Sequence, residues 1–359
     1  MTGIDINKYA FDWLIRHYDH RILGDMLPKI QQWAKGESMP ELSELRDLAR
    51  LTQIPLRFFC SEAITNARVP VKFALSRELD QVEQGRILKV LQVMRRRQGW
   101  MRFYITSSGV QPPRFHDPEQ PMKVAWQILA PIKRDLGNAP SWHEALELLY
   151  AHIDRLGITV MHASIGANRG IALYDDLAPF ICLHRLANPS LRMLLLANCL
   201  VHVLLGKRTV FDMHNLCPAQ DSDERLCDKI TLDFLLPIKE IFKAWRRVCR
   251  ERDVFAALAA ELKVSECIAA RCAYDIGFVA EEEFLDFCKN YKHNYIKPPK
   301  IAGACFVNAV LCYVRNGFLS VREAANLTGL GETSIGRMLV RPETTTNSVP
   351  YTSYRYQFS

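Results

Sequence analysis

Two stretches, LLLANCLVHVLLG at residues 194–206 and ERLCDKITLDFLLP at residues 224–237, decide the fold of this chain. As a helix, the first stretch would have apolar side chains on all its faces. A helix of that kind is buried inside a protein. The uncharged run between Arg192 and Lys207 is shorter than the roughly 20 residues that cross a bilayer. The sequence therefore predicts a buried core helix followed by a second helix that ends before Pro237.

The few polar or reactive side chains of these stretches have an informative spacing. Asn198 and His202 are four residues apart and share one helix face, and Glu224 opens the second helix. In zincin peptidases, two histidines at this spacing bind zinc and a glutamate after the first histidine activates the bound water. A third ligand comes from a following helix. The spacing thus points to a metal site in which some ligands are exchanged.

Both stretches resemble the ImmA/IrrE family of metallo-endopeptidases, whose signature is an apolar run into HExxH followed by E-x-x-A-[ND]-x-F-A-x-x-L-L-x-P. The resemblance extends to LGITV at 156–160, RGIAL at 169–173 and the RRRQGW segment at 95–100. It also includes the N-terminal pattern W-x-x-G-E-x-x-P at 33–40. Roughly 250 residues are covered. The resemblance implies an α+β fold with a zincin-like core and a small sheet, flanked by helical N-terminal and C-terminal modules.

The departures from the family pattern fall on its chemistry. By resemblance His202 is the second metal ligand and Glu224 the third, but Asn198 replaces the first histidine and Cys199 the general-base glutamate. An amide is a poor substitute for imidazole, and no other group is placed to take the proton from a metal-bound water. Hydrolysis by the family mechanism is therefore not expected, and no cofactor is expected unless zinc occupies the residual site.

Alternatives stay open for each of these residues. His202 is either a core histidine kept for packing or a metal ligand. Cys199 is either a small buried hydrophobe or, three residues before His202, a ligand that completes a site with Glu224. His214 is a remote fourth candidate.

The N-terminal segment resembles the helix-turn-helix-like module that precedes the peptidase in many family members. If it reads DNA, the polar face of its second helix nominates Lys29, Gln31, Gln32 and Lys35 as contacts. The alternative is a structural or protein-docking bundle. Arg95, Arg96 and Arg97 form a basic run that is either a solvated helix face or a phosphate-contacting surface.

The predicted organisation has five segments. These are a helix-turn-helix-like module at 1–65, a helical connector at 66–140, the zincin-like core at 141–252, C-terminal helical elements at 253–339 and a polar tail at 340–359. Strands are expected at 158–161, 170–173 and 180–183, beside a helix at 142–156. Near the C-terminus two short helices are expected, around 304–315 and 320–338.

Composition sets the functional class. The chain has 46 Lys and Arg against 39 Asp and Glu, a net charge of +7 that suits an anionic partner without requiring one. Eleven cysteines without a regular spacing indicate a reducing compartment, and the first 25 residues show no signal-peptide core, so a cytoplasmic protein without a membrane partner is expected.

The sequence thus favours a non-catalytic regulatory or partner-binding homologue of such peptidases, acting in a stress, prophage or mobile-element response. The alternatives are a zinc-dependent endopeptidase with altered ligands that cleaves a repressor, and a DNA-binding transcription regulator. A protein partner is expected, and DNA is a candidate partner of the N-terminal module.

Overall fold

The protein is described by a computed structural model that covers residues 8–17, 23–52, 59, 71–75, 79–108, 116–166, 169–187, 189–212, 222–291 and 303–340. The chain divides into two compact units. One comprises Met1–Val71 and Arg77–Arg96, and the other comprises Lys72–Ser76 and Arg97–Ser359. The five predicted segments divide the chain differently, since the predicted connector at 66–140 contributes residues to both units, and their boundaries stay predictions.

The first unit is helical. Its helices are α1 (Lys8–His17), α2 (Leu27–Lys35) and α3 (Leu42–Thr52), with a 3-10 turn at Gly24–Met26 before α2. Phe11 of α1 packs against Trp33 of α2 at 5.4 Å between ring centroids and stacks on Phe59 at 5.8 Å. Apolar residues at helical spacing form the interior of this small bundle, and they include Leu45 and Leu48 of α3.

The second unit is mostly helical and contains all the strands of the described chain. Its elements begin with strand β1 (Lys72–Ala74) and the later part of the long helix α4 (Gln81–Ser108). The others are α5 (Pro121–Gly137), α6 (Trp142–Arg155), β2 (Thr159–Ala163), β3 (Arg169–Leu173), β4 (Phe180–His184), α7 (Pro189–Leu204), β5 (Arg208–Asp212), α8 (Ser222–Leu235), α9 (Ile238–Val248), α10 (Val254–Leu262), α11 (Glu266–Ile276), α12 (Glu281–Asn290), α13 (Ala304–Arg315), α14 (Val321–Thr328) and α15 (Glu332–Val340).

The strands form one five-stranded mixed sheet in the order β1-β5-β3-β4-β2. The outer pairs β1–β5 and β2–β4 are parallel, whereas β3 pairs antiparallel with both β4 and β5. The three predicted strands are confirmed as β2, β3 and β4, and the prediction of a mixed, mainly helical α+β chain with a small sheet is confirmed. Strands β1 and β5 were not predicted.

Helix α7 lies at the centre of this unit. It packs on β3, β4 and β5 and against α5, α6, α8 and α11. Every residue from Leu191 to Leu204 is buried, as the continuous apolar run predicts. This position forces the polar side chains of α7 to find partners inside the protein.

The C-terminal part corrects one prediction. A single helix was expected around 320–338, but two helices, α14 and α15, occupy this region with a break after Thr328. The break falls at Gly329, which adopts a left-handed conformation with φ of 76°. Within the described residues, no helix is both long enough and apolar enough to cross a membrane.

Candidate functional site

The polar residues of α7 meet the acidic face of α8. Glu224 and Asp228 are four residues apart on α8, and Asn198 and His202 are four residues apart on α7, so each pair shares one helix face. Asn198 Nδ2 donates a hydrogen bond to Asp228 Oδ1 at 2.9 Å. His202 Nε2 lies 3.1 Å from Glu224 Oε2. The two helices are thus joined by two polar contacts one helical turn apart.

His202 is enclosed on every side. It is fully buried, and its ring stacks on Phe211 of β5 with 4.9 Å between centroids. Nδ1 lies 3.6 Å from the thiol of Cys227, while Nε2 faces Glu224 without the geometry of a directed hydrogen bond. The contact with Glu224 is therefore best described as a buried ion pair.

The charge state of His202 follows from these neighbours. Burial alone lowers the pKa of an imidazole, but the contacts with Cys227 and Glu224 outweigh it and raise the pKa of His202 to about 9. Near neutral pH the ring is then an imidazolium. A protonated imidazole has no free lone pair, so His202 would have to lose this proton before it could bind a metal.

Asn198 is held in an orientation set by α8. Its amide nitrogen is committed to Asp228, and its Oδ1 is buried with no hydrogen-bond partner among the described residues. An unsatisfied buried carbonyl of this kind costs about 1–3 kcal/mol. This residue occupies the position where the resemblance expects the first metal-binding histidine.

Cys199 is buried against the sheet. A Cβ atom built on Gly170 of β3 would lie 2.9 Å from Cys199 Sγ, so the thiol fills the space above that glycine. Burial, with Cys182 and Glu224 nearby, raises the pKa of the Cys199 thiol well above its ordinary value. Such a thiol stays protonated and behaves as a small apolar side chain.

The donor set does not fit zinc. Structural and catalytic zinc sites use at least three protein ligands, which are neutral imidazoles, thiolates or carboxylates. Among the residues the structure describes, no three His, Cys, Asp or Glu side chains form a group that could hold a metal ion. Asn198, Cys199, His202 and Glu224 therefore lie close together on α7 and α8 without forming a metal centre, and His214 lies outside the described residues.

A charged cluster that the sequence did not reveal extends the site. Arg271 of α11 is almost fully buried and donates from Nε to both carboxylate oxygens of Asp275 at 2.9 Å. Its Nη2 lies 3.8 Å from Asp228 Oδ2. Burial raises the pKa of Asp275, and Arg271 opposes that rise. A chain of contacts thus leads from Asn198 through Asp228 to Arg271.

This chain of contacts ends at a cavity of about 380 Å³ between α8, α9 and α11. Small-molecule and peptide pockets commonly have volumes of about 300–1,000 Å³. Both charged and apolar residues line it. The lining includes Asp228, Arg271, Asp275, Leu232, Ile238 and Ile241.

The four nominated DNA contacts lie on the first unit. Lys29, Gln31, Gln32 and Lys35 are all exposed on α2, whose buried face is formed by Ile30 and Trp33. Lys29 is engaged with Glu44 of α3 at 2.7 Å, and that contact raises the pKa of Lys29. Lys35 Nζ lies 3.9 Å from Glu37.

Comparisons with protein-family models, curated proteins and solved structures found no match for this chain. The likeness to the ImmA/IrrE metallo-endopeptidases consequently rests on the residues quoted above.

Proposed function

We propose that this chain is a non-catalytic homologue of ImmA/IrrE-type metallopeptidases that regulates a stress, prophage or mobile-element response by binding a protein partner. The proposal rests mainly on the hydrogen bond between Asn198 and Asp228. Asn198 stands at the first metal-ligand position, and its side chain there joins two helices. Cys199, at the general-base position, is a buried thiol rather than a carboxylate. Both positions then serve packing between α7 and its neighbours.

The partner-binding part of the proposal is supported by the cavity and its rim. Ile238, which lines the cavity, is 52% exposed, and Phe242, one turn further along α9, is 43% exposed. Large apolar side chains exposed around a concave site are typical of surfaces that bind another protein. The nine cysteines among the described residues form no disulfide with one another, which supports a reducing compartment such as the cytoplasm.

A proteolysis experiment tests the first half of the proposal. The purified protein and the variant His202→Ala are incubated with zinc and an extract of host proteins, and new N-termini are counted by mass spectrometry. We expect the same N-termini with both proteins. New N-termini that require His202, together with stoichiometric zinc, would establish the alternative of an endopeptidase with altered ligands.

A capture experiment tests the second half. Ile238→Arg places a charge at the rim of the cavity, and Leu186→Arg places the same charge at a residue that is 61% exposed on another part of the second unit. We expect one dominant intact partner that is lost with Ile238→Arg and kept with Leu186→Arg, Lys29→Ala and Lys35→Ala. Equal retention by all four variants would contradict docking at this cavity.

The endopeptidase alternative has one observation in its favour, because His202 and Glu224 are within 3.1 Å of each other. The transcription-regulator alternative is favoured by the exposure of Gln31, Gln32 and Lys35 along one face of α2. A tight complex with a defined duplex that is lost on Gln31→Ala or Gln32→Ala would establish that second alternative.

A further inference from the structure

The last three described helices have the arrangement of a DNA-reading element. Helix α14 begins with a capping box, in which Ser320 Oγ accepts from Glu323 N at 3.2 Å and Glu323 accepts from Ser320 N at 2.8 Å. It ends at Gly329, whose N–H bonds to Ala325 O. A turn of three residues, 329–331, leads into α15. A turn of this length that contains glycine is the connection found between the two helices of a helix-turn-helix motif.

The three helices pack as a unit. α13 contacts both α14 and α15, and α14 contacts α15. Ala324 of α14 and Ile335 of α15 are completely buried, as is Val310 of α13. A small side chain at Ala324 lets the helices approach closely. The pair of helices is therefore supported by a third, as a helix-turn-helix requires for a fixed geometry.

Arg97 of α4 fixes the turn from outside the three helices. Its Nε donates to Leu327 O at 2.9 Å and its Nη2 donates to Thr328 O at 2.6 Å. These are carbonyl groups of the last turn of α14, which have no partner within the helix. Arg97 is accordingly a positioning residue and not part of a solvated basic face.

The outer face of α15 is open and polar. Glu332, Thr333 and Arg337 are exposed, whereas Ile335 points into the three-helix core. In a helix-turn-helix the N-terminal residues of the second helix contact base edges in the major groove. Arginine pairs with guanine, threonine contacts the thymine methyl group and glutamate accepts from cytosine N4. The side chains on this face are thus the types that read base pairs.

Gly336 supplies an independent observation. It lies in the interior of α15, and a Cβ atom at this position would meet nothing within 4 Å. Glycine costs roughly 1 kcal/mol relative to alanine in a helix interior. No contact in the described structure therefore explains why this residue is a glycine. Glycine is favoured where a backbone must approach a ligand closely.

Two exposed arginines lie on α14 and α15. Arg322 on the first turn of α14 and Arg337 on α15 are exposed, and neither forms an ion pair within the described residues. Of the nearby acids, Glu323 is occupied by the Ser320 backbone and hydroxyl groups at 2.8 Å and 2.7 Å, while Glu332 at the start of α15 stays exposed. The face thus offers cations whose charge is available to a polyanion.

From these observations we infer that α13, α14 and α15 form a DNA-binding helix-turn-helix in which α15 enters the major groove of duplex DNA. Thr333 and Arg337 contact base edges, Arg322 contacts a phosphate and Gly336 permits close approach. This site is separate from the nominated face of α2. The inference does not depend on the proposed partner-binding function, since it uses none of the residues of the α7–α8 site.

The experiment uses the full chain and a library of duplexes with a randomised central segment. After rounds of selection, the enriched duplex and an unrelated duplex of equal length are titrated by fluorescence anisotropy. We expect an enriched sequence, and we expect Arg337→Ala to weaken its binding roughly tenfold or more, as the loss of a base contact does. Arg322→Ala should weaken both duplexes alike and lower the salt dependence by about one counterion.

Arg134→Ala on α5 is the matched control, because it removes the same charge from an exposed position outside the three helices. Gly336→Ala should raise the melting temperature of the protein and yet weaken binding of the enriched duplex. The inference is overturned if no duplex is enriched, if Arg134→Ala has the effect of Arg337→Ala, or if binding is lost with Gln31→Ala and kept with Arg337→Ala. Selection of single-stranded RNA over duplex DNA in parallel rounds would also overturn it.

Discussion

His202 carries a charge in the interior of the protein, and that charge has a measurable consequence for stability. The folded-state pKa of about 9 lies above the value near 6.5 of an unfolded chain. Below pH 6.5 both states are protonated, and the ion pair with Glu224 contributes fully. Between pH 6.5 and about 9 the unfolded state binds fewer protons, so the free energy of unfolding falls as pH rises.

We therefore expect urea unfolding in the presence of a chelator to show stability falling between pH 6.5 and 9, by at most about 1.4 kcal/mol per pH unit. In His202→Gln this fall in stability between pH 6.5 and 9 should be absent. The difference between the stability curves of the two proteins is then the contribution of His202. A zinc ligand would behave in the opposite way, since zinc binds neutral imidazole and becomes more favourable as pH rises. If the free energy of unfolding rose with pH when zinc is present, His202 would be binding metal.

The cysteines differ in burial, and this difference predicts their reactivity. Cys249 is the exposed thiol of the described chain, whereas Cys199, Cys227 and Cys272 are buried. Burial raises the pKa of Cys199 well above its ordinary value and that of Cys272 to about 12. Because the thiolate is the nucleophile, these residues should be unreactive in the folded state.

In a timed reaction with iodoacetamide, analysed by peptide mass spectrometry, we expect Cys249 to be labelled first and Cys199 only after denaturant is added. The variant Cys249→Ser should remove the early label. Early labelling of Cys199 in the native protein would mean that this thiol is accessible and activated, which would favour a ligand or nucleophile role.

At the scale of single residues, the family pattern located Asn198, Cys199, His202 and Glu224 but not their partners. Asp228 could have been found, because it is four residues after Glu224 and so shares its helix face. Arg271 could not have been found in this way. It comes from α11, and its contact with Asp228 depends on how two helices pack.

At the scale of elements, length and apolar content together decided what could be predicted. Strands β2 (TVMHA), β3 (RGIAL) and β4 (FICLH) have mainly apolar residues, which give a recognisable signal. Strand β5 (RTVFD) has the same length but only Val210 and Phe211 as apolar residues. Strand β1 has only three residues, KFA, and its membership depends on pairing with β5. A segment of that length has too few residues for a pattern to distinguish a strand from a loop.

The break between α14 and α15 was missed because the apolar spacing continues through Gly329. Glycine in a helical pattern is ambiguous until its backbone conformation is known. Here φ is 76°, and a Cβ atom would lie 3.0 Å from Arg97 Nη2. The glycine is therefore required both by the backbone and by the close approach of Arg97.

This requirement predicts the effect of Gly329→Ala. A left-handed conformation costs an L-residue roughly 1–2 kcal/mol, and displacement of Arg97 adds to that cost. Gly317→Ala is the matched control, because Gly317 also has φ of 76° but its Cβ would meet nothing within 4 Å. We expect urea unfolding to show a larger loss of stability for Gly329→Ala. Equal losses would mean that the contact with Arg97 contributes nothing.

At the scale of the whole molecule, the second unit is built around α7 and needs no metal to bury it. Leu195, Leu196, Leu200 and Leu204 are completely buried, and the helix packs on the sheet and on four other helices. Burying a leucine side chain contributes roughly 1.5–3 kcal/mol. Packing of this extent stabilises the helix by itself, so the ligand positions can change while the fold is kept.

The last prediction is that the melting temperature does not respond to chelator. If the fold depended on zinc, binding energy would be part of the folding energy, and EDTA would lower the melting temperature by several degrees. We expect calorimetric scans with EDTA and with added zinc to coincide. Leu200→Ala should show that the scans report on this helix, since truncating a buried leucine costs about 2–5 kcal/mol. A transition that falls with EDTA and recovers with zinc would mean that a metal stabilises the core, and it would direct attention to His202 and Glu224 as its ligands.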